Sequence, residues 1–215
     1  MASDLEFYQI YYKDDQLPEL YDFAIPYFYK DLTLYFENSP ICDIVPKSTA
    51  ERISVASWRL SQKRGNLIRA KKQINRDDLI DDYDVAILTP RSPTHRPLYM
   101  AYRWHGIPFL KAINELKKFI KVPDELKYGI YENHFIARGD IYKDYVTNCL
   151  IPAIDFMSSR PVFFTDSGYA KRKPQEEVNA YKKLTGRNDW PMSPFVLERL
   201  FSIWIHYKNL KVVNK

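Results

Sequence analysis

Ile53-Ser54-Val55-Ala56-Ser57-Trp58-Arg59-Leu60-Ser61-Gln62-Lys63 is the stretch on which the fold turns, because a short apolar run ends abruptly in an aromatic and basic tip. Its β-branched residues suit a pleated, buried surface, and the run is too short for a buried helix, so a central strand is expected over residues 53 to 57. Ligands of open α/β sheets sit beyond the carboxyl ends of the strands, so Trp58, Arg59 and Lys63 fall where a phosphorylated ligand would be held. The alternative is an ordinary strand leaving the core with a solvated basic tail.

Upstream, Glu6-Phe7-Tyr8-Gln9-Ile10-Tyr11-Tyr12 has strand composition and stops at the polar Lys13-Asp14-Asp15 turn. A short helix opened by Pro18 is expected over residues 17 to 24, then an extended segment at Ile25-Pro26-Tyr27-Phe28-Tyr29. Ser39-Pro40 has the form of a helix start, whose free amides would offer themselves to an anion. Downstream, Tyr83 to Leu88 reads as another strand, and residues 91 to 97 as a loop. Apolar residues at helical spacing predict a helix over residues 107 to 121. Residues 128 to 137 read as a bent strand or strand pair, followed by a helix over 141 to 157 capped by Gly139-Asp140. Residues 158 to 192 look irregular, and the last expected element is a helix with Ser193 as cap and Pro194 in its first turn, placing Glu198 near its amino end. Strands alternating with helices predict an α/β domain with a mostly parallel sheet.

At 215 residues and 46% hydrophobic content the chain can bury one sizeable core, so one domain is the expectation. Cys42 and Cys149 lie far apart, and no apolar leader or span-length apolar run occurs, which predicts reduced thiols, a cytoplasmic location and no membrane span. The net charge of +5 is a mild excess that permits an anionic ligand without demanding one. With no G-x-G-x-x-G, no G-x-x-x-x-G-K and only six glycines, dinucleotide-fingerprint and P-loop readings are disfavoured. The cysteines and the four histidines show no zinc spacing, and no G-x-S-x-G elbow supports a hydrolase triad.

Three blocks of the chain stand out together: Ile10-Tyr11-Tyr12 with Ile25-Pro26; Ser57-Trp58-Arg59 with Tyr83 to Leu88; and Asn133-His134-Phe135-Ile136-Ala137 with Tyr142 to Pro152 and Phe195 to Trp204. They resemble the small GT-A-type glycosyltransferases of bacterial capsule and lipopolysaccharide loci and of large DNA viruses and phages. The resemblance implies a single GT-A-like, Rossmann-like domain over residues 1–215 that moves a sugar from a nucleoside-diphosphate donor, first of all a UDP-sugar, to an acceptor hydroxyl. A glycan is the first acceptor class and DNA the second. One departure is plain: the slot for the metal-binding Asp-x-Asp holds Ser57-Trp58-Arg59, while Asp82-Tyr83-Asp84 spells the motif ahead of a strand, at the wrong end of a sheet. Either Mn²⁺ or Mg²⁺ sits on carboxylates the sequence does not identify, or Arg59 and Lys63 neutralise the leaving diphosphate without a metal.

Within that resemblance, Tyr11 and Tyr12 could stack on the donor base or simply pack in the core. Glu37, Asn38 and Ser39 could hydrogen-bond ribose or phosphate, or only cap a helix. Asn133 and His134, expected in a strand, could touch sugar or diphosphate, although a lone histidine is commonly structural. Glu198 is the candidate catalytic carboxylate; its alternative is a helix-start charge favoured by the dipole or paired with Arg199. Behind it stand Asp166, Asp189 and Glu132. The competing class is a non-catalytic viral or nucleic-acid-binding protein on a transferase-like fold, to which Lys171-Arg172-Lys173 would lend charge.

Overall fold

The computed structural model describes residues 4–30, 35–60, 76, 79, 82–89, 97–130 and 132–215. Expectations for residues 61 to 75, Lys63 among them, and for the loop at 91 to 96 lie outside the described residues. Six strands form one sheet in the order β2-β1-β3-β5-β4-β6, with β1 at Leu5–Tyr11, β2 at Ile25–Phe28, β3 at Arg52–Ser57, β4 at Val85–Ile87, β5 at Phe135–Arg138 and β6 at Val212–Asn214. The sheet is parallel except at β5, which runs antiparallel to both β3 and β4.

Alternation along each strand divides the apolar side chains between two cores. Ile53, Val55, Val85, Ile87, Phe135 and Ala137 face the larger core, whereas Phe7, Ala56, Ala86 and Ile136 face the smaller one. All six residues of β3 are buried, as a central strand covered on both faces requires. Helices α1 (Asn38–Ile44), α2 (Pro97–His105), α3 (Ile107–Leu116), α4 (Gly139–Tyr145), α5 (Ile151–Ser158) and α7 (Ser193–His206) feed the larger core, while α6 (Gln175–Thr185) flanks the cleft described below. Apolar nearly all round, α7 is buried nearly all round, and its Phe201 stacks on Phe135 of β5 at 4.0 Å. Both cysteines are free thiols, pushed up to about 12 by burial.

Several elements differ from expectation. The 17 to 24 helix is instead a 3-10 helix at Asp14–Glu19. Neither Ser39 nor Ser193 caps a helix: each lies inside its first turn, behind Glu37 and Met192, and neither terminus has a side-chain cap. The 107 to 121 helix ends at Leu116 and is preceded by α2, which shares no seam of regular apolar spacing with it because Gly106, at φ +66°, breaks the chain between them. The bent strand reduces to β5, so Asn133 and His134 lie in the turn before it, not in a strand. The helix after β5 begins two residues early, at Gly139, and passes through a π turn at Val146–Leu150 before α5. The stretch expected to be irregular contains α6, and β6 follows the last helix on the sheet edge.

Candidate active site

A cleft of about 400 Å³ opens at the carboxyl ends of β1 and β3, where an open α/β sheet receives its ligand. Its floor is set by the way the strands part. β3 pairs with β5 only at Arg52↔Arg138 and Ile53↔Ala137, and beyond that point the gap is bridged by side chains. Ser54 Oγ donates to the Phe135 carbonyl at 2.8 Å, and Ser57 Oγ lies 3.0 Å from His134 Nε2. On the other side β1 and β3 stay in register to the tip, because the Trp58 amide donates to the Ile10 carbonyl at 2.9 Å and buried Gln9 spans from the Tyr21 amide to the Ser57 carbonyl. Trp58 and Arg59 therefore leave the sheet on fixed backbone.

One wall consists of two turns that carry all three left-handed non-glycine residues found among the described residues: Phe36 at φ 47°, Glu132 at φ 59° and Asn133 at φ 56°. Such conformations persist only where surrounding contacts hold them, and here the buried pair Asn38 and Asn133 ties turn to turn at 3.4 Å. Phe36, Glu37 and Glu132 are thereby aimed into the cleft. The opposite wall comes from the segment between α5 and α7, where Tyr181 of α6 stacks on Trp190 at 4.0 Å and Phe195 of α7 closes the end.

Charge is concentrated on the rim. The Arg59 guanidinium stands 5.3 Å over the Trp58 ring and 3.9 Å from Glu177, whose carboxylate also takes a 2.8 Å ion pair from Lys173. The hydrogen bond from Lys173 holds the Glu177 carboxyl below its ordinary range, with Arg59 and Lys13 adding to the pull. Inside, burial raises the Tyr12 hydroxyl far above the usual tyrosine value, and the neighbouring Glu37 carboxylate adds to the rise. Glu198 faces the cleft from the second turn of α7 and pairs with buried Arg199 at 3.0 Å. At that position the helix dipole is a weak account of its presence, since the dipole acts within the first turn.

Of the residues singled out from sequence, Tyr12, Glu37, Trp58, Arg59 and Glu198 line the same cleft. Others stand behind it. Tyr11 turns away and packs on Phe28 at 5.2 Å. Asn38 and Asn133 brace the wall, and His134 is fully buried on Ser57, 3.7 Å from Glu132. The expected free amides at the start of α1 are not free: those of Asn38 and Ser39 donate to the carbonyls of Tyr35 and Phe36. Asp166 accepts from the Gly168 amide and Asp189 pairs with Arg187, while Glu132 does line the cleft. Asp82 and Asp84 lie at the opposite end of the sheet, bound to Lys211 and Arg138. Sequence reasoning missed Lys13, Tyr169, Glu177, Tyr181 and Trp190, and gave Lys173 only as part of a basic segment for a nucleic-acid partner. A signal existed for two of them: Pro174 followed by Glu176-Glu177, closed by Gly186 at φ +72°, has the form of a helix with its start and stop.

Among the described residues, no three histidine, cysteine or acidic side chains converge as a metal site. Comparisons with protein-family models, with curated proteins and with solved structures find no match to this chain.

Proposed function

We propose that this chain is a glycosyltransferase of GT-A-like fold, which takes a sugar from a nucleoside-diphosphate donor, a UDP-sugar before others, and passes it to a hydroxyl of a glycan acceptor, with DNA as the second acceptor class. The observation that carries this reading is the convergence of Trp58, Arg59, Lys173 and Glu198 on one cleft at the carboxyl ends of parallel strands. Each has a physical role there. The flat Trp58 and Tyr12 rings offer faces to a base or sugar ring. Arg59 presents a planar fork that matches phosphate oxygens, and with Lys173 it would stabilise the charge developing on the leaving diphosphate. Glu198, held by Arg199, would accept the proton of the acceptor hydroxyl. Mn²⁺ or Mg²⁺ would need a set of carboxylates that the described residues do not bring together; charge neutralisation by Arg59 and Lys173 is the alternative that needs none.

The test is a thermal-shift and calorimetric panel of nucleoside diphosphates, with and without Mn²⁺, since a ligand that binds only the folded state raises its stability by mass action. Stabilisation by one diphosphate and not by the nucleoside is expected. Failure of every nucleoside diphosphate at millimolar concentration would sink the proposal and leave a non-catalytic binding protein.

A further inference from the structure

Helices α2 and α3 bury one face each against the body of the protein, through Ala101 and His105 in the first and Phe109, Ala112, Ile113 and Leu116 in the second. Their outer faces are not polar. Ile107 is 64% exposed, Tyr99 54% and Trp104 49%, and Leu110 and Tyr102 are exposed as well. Tyr99 and Tyr102 stand one turn apart with ring centroids at 6.5 Å, and Ile107, Leu110 and Lys111 follow at the helical spacing that keeps them on one side of α3. Exposed apolar side chains so grouped mark a surface that meets something.

The charges decide what. Residues 97 to 121 hold five lysines and arginines against one acid, Glu115, and that acid is already tied to Lys118 at 2.7 Å and Arg160 at 3.3 Å. Arg103 and Lys111 are exposed among the apolar tips, and Lys117 and Lys118 continue the same side beyond them. A second copy of the chain would bring two such cationic faces together. A nucleic acid would satisfy the cations but give Ile107 and Leu110 no apolar partner. An anionic bilayer surface satisfies both: aliphatic tips enter the headgroup boundary, tryptophan and tyrosine take the interfacial level, and the cations meet lipid phosphates. We infer that the α2–α3 face docks the protein peripherally on membranes rich in anionic phospholipid. Among the described residues no helix is long and apolar enough to cross a membrane, so the contact is with the surface. Arg172 packs over Trp104 at 5.1 Å, and its neighbours Tyr169 and Lys173 line the cleft, so docking brings the cleft mouth alongside the lipid.

The full chain should float with phosphatidylcholine vesicles that contain phosphatidylglycerol, not with phosphatidylcholine alone, and high salt should weaken the binding. Ile107→Ser with Leu110→Ser, and separately Arg103→Glu with Lys111→Glu, should each reduce binding about tenfold. All four side chains are exposed, so both variants should melt with the wild type. No binding of the wild type to anionic vesicles overturns the inference. So does binding that survives the Ile107 and Leu110 changes, which would assign it to basic residues elsewhere, such as those at 63 to 72. Concentration-dependent self-association abolished by those same changes would also overturn it, by making the face a protein interface.

Discussion

The carboxylate of Glu177 stands 3.9 Å from the guanidinium of Arg59, across the mouth of the cleft. It shares Lys173 as a second cationic partner, so both cations best placed for a diphosphate are already engaged by an acid of the protein itself. An incoming anion must displace or share that contact. Such half-exposed pairs are weak, and removing the acid's charge removes a competitor at little cost to the fold.

Glu177→Gln should therefore tighten nucleoside-diphosphate binding by a factor of about two to five, read by calorimetry at low salt. Weaker binding in the variant would show instead that Glu177 contacts the ligand or an ion bound with it.

Arg59→Ala should weaken the same binding by about 1.5–3 kcal/mol, the range of hydrogen bonds to charged groups, and Arg59→Lys should restore only part of it, because an ammonium lacks the fork. Unchanged affinity in both would make the tip of β3 a solvated end and nothing more.

The tip of β3 was legible in sequence because strand and cleft meet there: a run of buried residues ends, and the next two side chains, Trp58 and Arg59, line the cleft. The rest of the rim was not. Lys173 and Glu177 arrive from more than a hundred residues away, the first just ahead of α6 and the second in its first turn, and the one buried described side chain of that helix is Tyr181, too little to show as an apolar period. α2 was hidden for a similar reason, since its outer face carries Tyr99, Tyr102 and Trp104 and so lacks the contrast that reveals amphipathic helices. Asn133 and His134 misled differently. Their neighbours are strand formers, but the left-handed backbone at Glu132 and Asn133 delays the start of the strand to Phe135, and the tertiary bond from Asn133 to Asn38 helps to hold that conformation.

Gly139→Ala should be among the most damaging single changes in the chain. A Cβ there would lie 2.3 Å from the Ala50 carbonyl oxygen, while the Gly139 amide is already held to the Glu51 carbonyl at 2.7 Å, so neither backbone can yield cheaply. A loss at or above the roughly 1–3 kcal/mol of overpacking is expected, measured as a lower urea midpoint. An unshifted midpoint would mean that the junction of β5 and α4 is free to move.

His105 sets an acid limit on stability. It is buried between α2 and the start of α7, donates Nδ1–H to the Ser167 carbonyl at 3.0 Å and packs on Phe195 with ring centroids at 4.1 Å. Burial chiefly, with help from Arg199 and Arg172, lowers it from 6.5 to about 4, against the smaller opposing effect of the Ser167 bond. The unfolded chain thus binds a proton between those values that the folded chain refuses, so stability falls as pH drops from about 6.5 towards 4, by an amount on the order of 3 kcal/mol in full. His105→Gln should flatten that part of the profile, although it costs some stability at pH 7. A variant whose melting temperature falls with acid as steeply as the wild type's would exclude His105 as the cause.

Glu198→Gln separates catalysis from architecture. Glutamine keeps the shape of the side chain and can still accept from Arg199, so the fold should survive with a loss of about 1 kcal/mol for the weakened charge-assisted bond. Donor binding should be nearly unchanged, because Arg59 and Lys173 remain. Transfer, and with it the slow hydrolysis of donor by water, should fall by about 10²- to 10⁴-fold if the carboxylate is the general base. Donor hydrolysis and melting temperature measured on the same two samples give the answer without knowledge of the acceptor. A Glu198→Gln protein that turns over donor at the wild-type rate would confine Glu198 to its pair with Arg199 and move the search to Glu132 and Glu37, the other carboxylates that the strained turns hold in the cleft.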